Sequence, residues 1–157
     1  MDFLLWLENS GLAEAVRSTT WVYPWVNAFH SVGMGFLVGV IFMIILRVLG
    51  FGRFSIAPFQ KYLLVVQVAI GVNVITGIML FSGDAQRFFL SPTFRVKALL
   101  IVLGGITAWV LVRRVFRADA GWSEAGDAPQ MTKVIAGASL VCWVGAIFAG
   151  RMTAYLP

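Results

Sequence analysis

The sequence predicts an all-α fold, a four-transmembrane-helix bundle preceded by an interfacial amphipathic segment. Three observations carry that expectation. Of 157 residues, 60% are hydrophobic and 12% charged, about half the charged share of an ordinary soluble domain. The apolar residues fall in four long runs, roughly 22–49, 58–82, 93–116 and 130–154. At about 1.5 Å per residue, each run can cross about 30 Å of hydrocarbon. The net charge of +5 sits between and at the ends of those runs, which is a topology pattern and gives no ground for nucleic-acid binding. A single membrane domain over residues 1–157, in contact with the lipid bilayer, follows.

Residues 2–19 come first. Phe3, Leu4 and Leu7 can share one helical face with Glu8 beside them; Ser10-Gly11 interrupts the pattern, and Leu12, Val16 and Arg17 resume it. The stretch is too short to span and too polar to bury, so it is expected along the headgroups. Trp6, Trp21, Tyr23 and Trp25 supply rings at the same level. The opening MDFLLWLENSG has an acidic start and a short apolar run, so no cleavable signal is expected and the spans themselves direct insertion.

Each span begins near a proline: Pro24, Pro58, Pro92 and Pro129. Proline suits a first helical turn because its missing N–H would have no intrahelical partner there. Ser91 before Pro92 adds a serine N-cap. Arg47, Arg53 and Lys61 mark the first loop, and Arg113, Arg114, Arg117 and Lys133 the third. By the positive-inside rule those loops face the cytoplasm. The expected placement is a bacterial cytoplasmic (inner) membrane with both termini periplasmic. Residues 118–130 are the one long hydrophilic connector, expected as a flexible cytoplasmic strap.

The first span organises the candidate site. It carries His30, the only histidine of the chain, with Asn27 three residues before it and Met34 four after. Those spacings allow a shared helical face. Gly35 and Gly39 permit close helix approach. Ionisable groups inside a bilayer are costly and tend to be functional, so His30 is read as a ligand, proton carrier or hydrogen-bond donor beside a polar pocket. The alternative reading is a neutral histidine hydrogen-bonded between helices, to Asn73 or Thr76. Lys97 and Arg151 are expected at the same end of the bundle, where they either line the pocket or snorkel outward on long stems. Glu8 and Arg17 of the N-terminal segment are expected to close that pocket. Asn73, Thr76 and Gly77 form a small polar stripe on the second span, favouring helix packing. Arg47 reads as an ordinary cytoplasmic anchor.

Counting limits the metal chemistry. A bis-histidine haem needs two histidines, so haem b requires His30 with Met34 or another methionine, or two copies each donating His30. A copper site would draw on His30, Met34 or Met79, and Cys142, without a recognisable metal spacing. One cysteine excludes an intrachain disulfide in this sequence. No nucleophile has a base beyond His30, and no paired carboxylates or phosphate loop occur, so a self-contained enzyme is not expected.

Glu8, Arg17, Tyr23-Pro24, His30, Gly33, Gly39, Leu46-Arg47 and Leu49-Gly50, then Thr76-Gly77, Phe81, Pro92-Thr93-Phe94, Lys97 and Gly150-Arg151, form a pattern over nearly the whole chain. It resembles a bacterial family of small four-helix membrane proteins known only as a domain of unknown function. The resemblance implies a four-span fold and singles out the same polar positions, but implies no activity. In that pattern an acidic residue often precedes the Leu-Arg pair; Ile45 stands there, against a charged site at the inner end of the first span. A looser likeness to copper-resistance and cytochrome b bundles is one of fold alone.

The functional expectation is a non-catalytic membrane subunit with an outer-leaflet pocket for a redox cofactor, quinone or lipid-like ligand. The alternative is a structural or assembly protein whose polar residues only fix helix packing. Either admits a membrane-protein partner or a homodimer.

Overall fold

A bilayer offers no water to hydrogen-bond an open backbone, so a single apolar run satisfies its own peptide groups by becoming a helix. The computed structural model of the protein describes residues 2–52, 54–116, 126–153 and 155, with no strand among them. Seven α-helices follow in order: α1 (Asp2–Glu8), α2 (Gly11–Ser18), α3 (Val22–Leu49), α4 (Leu63–Ser82), α5 (Ala85–Leu90), α6 (Pro92–Val115) and α7 (Gln130–Met152). A 3-10 turn, Ala57–Tyr62, leads into α4. Four helical stretches are long and apolar enough to span: Val22–Leu49, Ala57–Ser82, Pro92–Val115 and Gln130–Met152. The protein is a multi-pass membrane protein. The expected span limits 58, 93, 116 and 154 move to 57, 92, 115 and 152. Most of the strap expected over 118–130 lies outside the described residues, as do Arg53 and Arg117.

The helix ends follow local chemistry. Ser10 caps α2, its Oγ accepting the Ala13 N–H at 3.3 Å, which turns the interruption seen in the sequence into a break between α1 and α2. Ser91 does the same for α6, accepting from the Phe94 N–H at 3.4 Å, with Pro92 in the first turn. Gly50 ends α3 at φ 95°, a left-handed conformation that glycine adopts without a Cβ penalty. There Gly50 N–H reaches Arg47 O at 3.1 Å and Phe51 N–H reaches Leu46 O at 2.9 Å, satisfying carbonyls the helix leaves open.

The spans form two antiparallel hairpins, α3–α4 and α6–α7, joined mainly through α3 and α7. Packing is uneven along their length. At the end carrying the α3–α4 and α6–α7 connections, Ile41, Ile44, Ile45 and Val48 of α3 are buried with Val66 of α4, Leu111 and Val115 of α6, and Ala136 of α7. At the opposite end, where both termini lie, α4 and α6 meet across a triangle of rings. Phe81, Phe88 and Phe94 have centroids 5.4 to 6.3 Å apart. The loop end is thus the tight half of the bundle and the termini end the looser half. α2 packs on α3 and α4 through buried Ala13 and Val16, and α1 packs on α5. Phe3 and Trp6 of α1 and Trp21 and Trp25 beyond it stay exposed, as headgroup-level aromatic rings do.

Arg47 departs from its expected role as an exposed anchor. It is 3% exposed. Its Nε donates to Phe54 O at 2.7 Å and its Nη2 to Gly126 O at 3.3 Å. One guanidinium therefore ties both connections of the loop end to α3, because its planar fork can reach two carbonyls at once.

Candidate functional site

His30 lies on the face of α3 that meets α4. Gly33, one turn further along, brings the two helices together: a methyl group added there would stand 2.5 Å from Asn73 Nδ2. The absence of a side chain is what lets Asn73 sit against α3. The edge of the imidazole bearing Nδ1 and Cε1 faces Gly77 of α4, where an added methyl would meet Cε1 at 3.5 Å.

The hydrogen bonds around the ring decide its chemistry. Nδ1 lies 2.8 Å from Thr76 Oγ1. Thr76 Oγ1 itself donates to Val72 O at 2.6 Å, the back-bond typical of a threonine within a helix. A hydroxyl has one proton; with that proton on the Val72 carbonyl, Thr76 can only accept from the imidazole. Nδ1 therefore carries the hydrogen and donates it. A neutral imidazole protonated at Nδ1 has a lone pair at Nε2. Among the described residues the ring's one side-chain hydrogen bond is that to Thr76, with the Asn73 backbone carbonyl also within its reach, and the side chain is half-buried, not sealed.

Asn73 adds a second acceptor on the same seam. Its Nδ2 donates to Ala69 O at 2.9 Å, while its Oδ1 is buried and has no hydrogen-bond partner. Among the described residues the α3–α4 seam thus holds two acceptors without a hydrogen-bond partner, His30 Nε2 and Asn73 Oδ1, beside the second N–H of the Asn73 amide.

Lys97 of α6 is half-buried in the same half of the bundle. Its stem crosses Gly150 of α7: a methyl there would stand 3.3 Å from Cε and 3.6 Å from Nζ. Nζ also lies 5.9 Å from the centroid of the Phe94 ring, within cation–π range. No carboxylate among the described residues pairs with it. Arg151, next to Gly150, is exposed and has no ion pair among the described residues. Asn27 is exposed one turn before His30, and only its backbone carbonyl is engaged, by Ser31 Oγ at 2.8 Å.

The N-terminal segment covers the termini end differently from the expected closure over Lys97 and Arg151. The Glu8 carboxylate accepts from Gln86 N–H at 2.7 Å and from Gln86 Nε2 at 2.8 Å. Asp84, which precedes α5, makes no side-chain cap, so Glu8 supplies an acceptor for that helix start. These two bonds, the backbone one first, hold the Glu8 carboxyl below its ordinary value. Arg17 Nη2 donates to Glu8 O at 2.6 Å, binding α2 to the end of α1. Glu8 and Arg17 therefore fasten the cover and do not line the His30 seam.

Met34 is half-buried against the apolar core. Axial ligands stand on opposite sides of a haem iron, whereas residues four apart project from one side of one helix. Met34 therefore cannot complete a haem with His30 of the same chain. Cys142 lies on the α6–α7 seam beside Gly104, whereas His30 and Met79 belong to the α3–α4 hairpin. Among the described residues no three His, Cys, Asp or Glu side chains gather as a metal site.

Comparison of the chain with protein-family models, curated proteins and solved structures found no match. The functional reading rests on the site alone. Sequence reasoning reached His30, Thr76, Asn73 and Lys97, but missed Gln86 and the short helix that bears it. Asp84 before a short apolar run was the available signal.

Proposed function

We propose that the protein is a ligand-binding membrane subunit whose site lies at His30, in the half of the bundle that carries the termini. The expected ligand class is a redox cofactor, quinone or lipid-like molecule. Lys97 contributes positive potential, and Arg151 adds to it at the rim. On the charge pattern of the loops, this half belongs to the outer leaflet of a bacterial cytoplasmic membrane, with periplasmic termini. The observation that carries the reading is the imidazole itself: Nδ1 is fixed by Thr76 and Nε2 is left open. Fixing one ring nitrogen so that the other can serve is how ligating or proton-accepting histidines are held.

A second reading is favoured by the same contact. The His30–Thr76 hydrogen bond joins α3 to α4, and such bonds contribute about 0.6–2 kcal/mol to helix association in lipid. On that account His30 is a structural or assembly element.

The test is the protein purified from membranes, read by visible absorption and by mass spectrometry of its organic extract, for wild type and His30→Ala. A small molecule retained by the wild type and lost from a folded His30→Ala supports the binding reading. A Soret band lost in that variant would assign the ligand as haem b held through His30. No retained molecule, with reduced stability of His30→Ala, supports the structural reading.

A further inference from the structure

Which partner fits an open lone pair is a question of hydrogen-bond polarity. Nδ1–H is committed to Thr76, whose own proton goes to Val72 O. The exposed side of the ring therefore presents an acceptor. Asn73 Oδ1 is sealed from the surface and recognises nothing by itself, yet it too is an acceptor without a donor. Across the looser half, Lys97 has only donors to offer. A ligand held at the open ring nitrogen therefore carries an O–H toward α3, and any part of it that reaches Lys97 is met by donors. A fully oxidised quinone has carbonyl oxygens only, so at His30 it would set one lone pair against another.

We infer that the site selects a phenolic hydroxyl, that is, the hydroquinone form of a quinone-type ligand, with His30 Nε2 accepting its O–H. This rests on the proposed binding role and deepens it by naming the form bound. Binding alone is inferred, with no electron transfer. The ring edge bearing Nδ1 and Cε1 is packed against Gly77, so the hydroxyl approaches from the side facing away from α4. Phe94, beneath Lys97, lies at the same end to meet an aromatic ring. Thr76 acts as a positioning residue: it fixes which nitrogen is open without touching the ligand.

The experiment uses the full chain in lipid nanodiscs, kept anaerobic, titrated in a calorimeter with three probes: a methyl-substituted benzohydroquinone, the matching benzoquinone, and the hydroquinone dimethyl ether. The expected result is hydroquinone binding tighter than either other probe by roughly tenfold, the effect of one unmade hydrogen bond. Thr76→Val removes the acceptor that holds the proton on Nδ1 and narrows that preference, which a role in packing alone would not do. Equal or tighter binding of the benzoquinone overturns the inference while leaving the binding role standing. Binding of the dimethyl ether as tight as the hydroquinone also overturns it. If none of the three binds, the inference fails and the quinone branch of the proposed function fails with it. The three-probe comparison on wild type needs no variant to fold.

Discussion

Gly33→Ala is a direct probe of how closely α3 and α4 approach beside His30. The added methyl would stand 2.5 Å from Asn73 Nδ2, 3.3 Å from its Cγ and 3.4 Å from Val72 Cγ1. Optimal carbon contacts lie at about 3.5–4.0 Å, so the first of these is roughly 1 Å too short. Asn73 can yield only by giving up its bond to Ala69 O, or the helices must part. Overpacking of this kind costs about 1–3 kcal/mol. Replacing glycine by alanine within a helix returns roughly 1 kcal/mol, leaving a net loss of about 0–2 kcal/mol for the single variant. In an Asn73→Ala background the obstruction is gone and only the helix gain remains, so the sign reverses. The coupling between the two substitutions is then about 1–3 kcal/mol, within the range for residues in contact. Reversible unfolding in mixed micelles by added dodecyl sulfate, followed by circular dichroism, measures all four corners of the cycle. If the two effects add to within about 0.5 kcal/mol, the methyl does not meet Asn73 and the seam is wrongly drawn.

Other sites give independent tests. Arg47→Ala leaves the Phe54 and Gly126 carbonyls without their guanidinium donors, at about 1–3 kcal/mol for each that stays buried. Arg47→Lys recovers part of this, since an ammonium lacks the fork, and the same unfolding assay ranks the two. Ser139 Oγ on α7 is fully buried with no partner, so Ser139→Ala leaves stability unchanged or raises it by up to about 1 kcal/mol; a loss greater than that would contradict the orphaned hydroxyl. The Gln86 N–H holds the Glu8 carboxyl below its ordinary value of 4.5. A carboxyl depressed on folding stabilises above its unfolded value and loses that contribution as pH falls through the folded one. The α1–α5 tie therefore survives at pH 4.5 and fails below it, and a nuclear magnetic resonance titration of the Gln86 amide with its midpoint at or above 4.5 would contradict this.

Much of the fold was written in composition, for a physical reason. A run of about 20 or more apolar residues has one stable form in lipid, so the spans and the Ser91-Pro92 start could be read without tertiary knowledge. Thr76 could be named as a partner for His30 because both stand in polar stripes on neighbouring spans. Position within the bundle could not be read. Arg47 sits at a span end, where the usual fate is an exposed anchor, and only the folded loops show that Phe54 and Gly126 turn their carbonyls toward it. Glu8 was expected near Lys97 on charge alone. Its carboxylate goes instead to Gln86, because α5 begins there with backbone N–H groups that Asp84 leaves uncapped. Exposed Asn27 shows the same limit: three residues separate it from His30, yet sharing a face by spacing did not bring its side chain into the seam. The tighter packing of the loop end is equally absent from the pattern, since all four spans are apolar along their whole length.

Recognition at His30 turns on which ring nitrogen bears the proton. With a single imidazole in the chain, nitrogen-15 resonance of selectively labelled histidine, recorded in bilayers above pH 7, reads this without overlap. The expected spectrum shows Nδ1 protonated and Nε2 bare, with the distribution between the two tautomers changed by Thr76→Val. A wild-type imidazole protonated at Nε2, or a tautomer indifferent to that substitution, would contradict it.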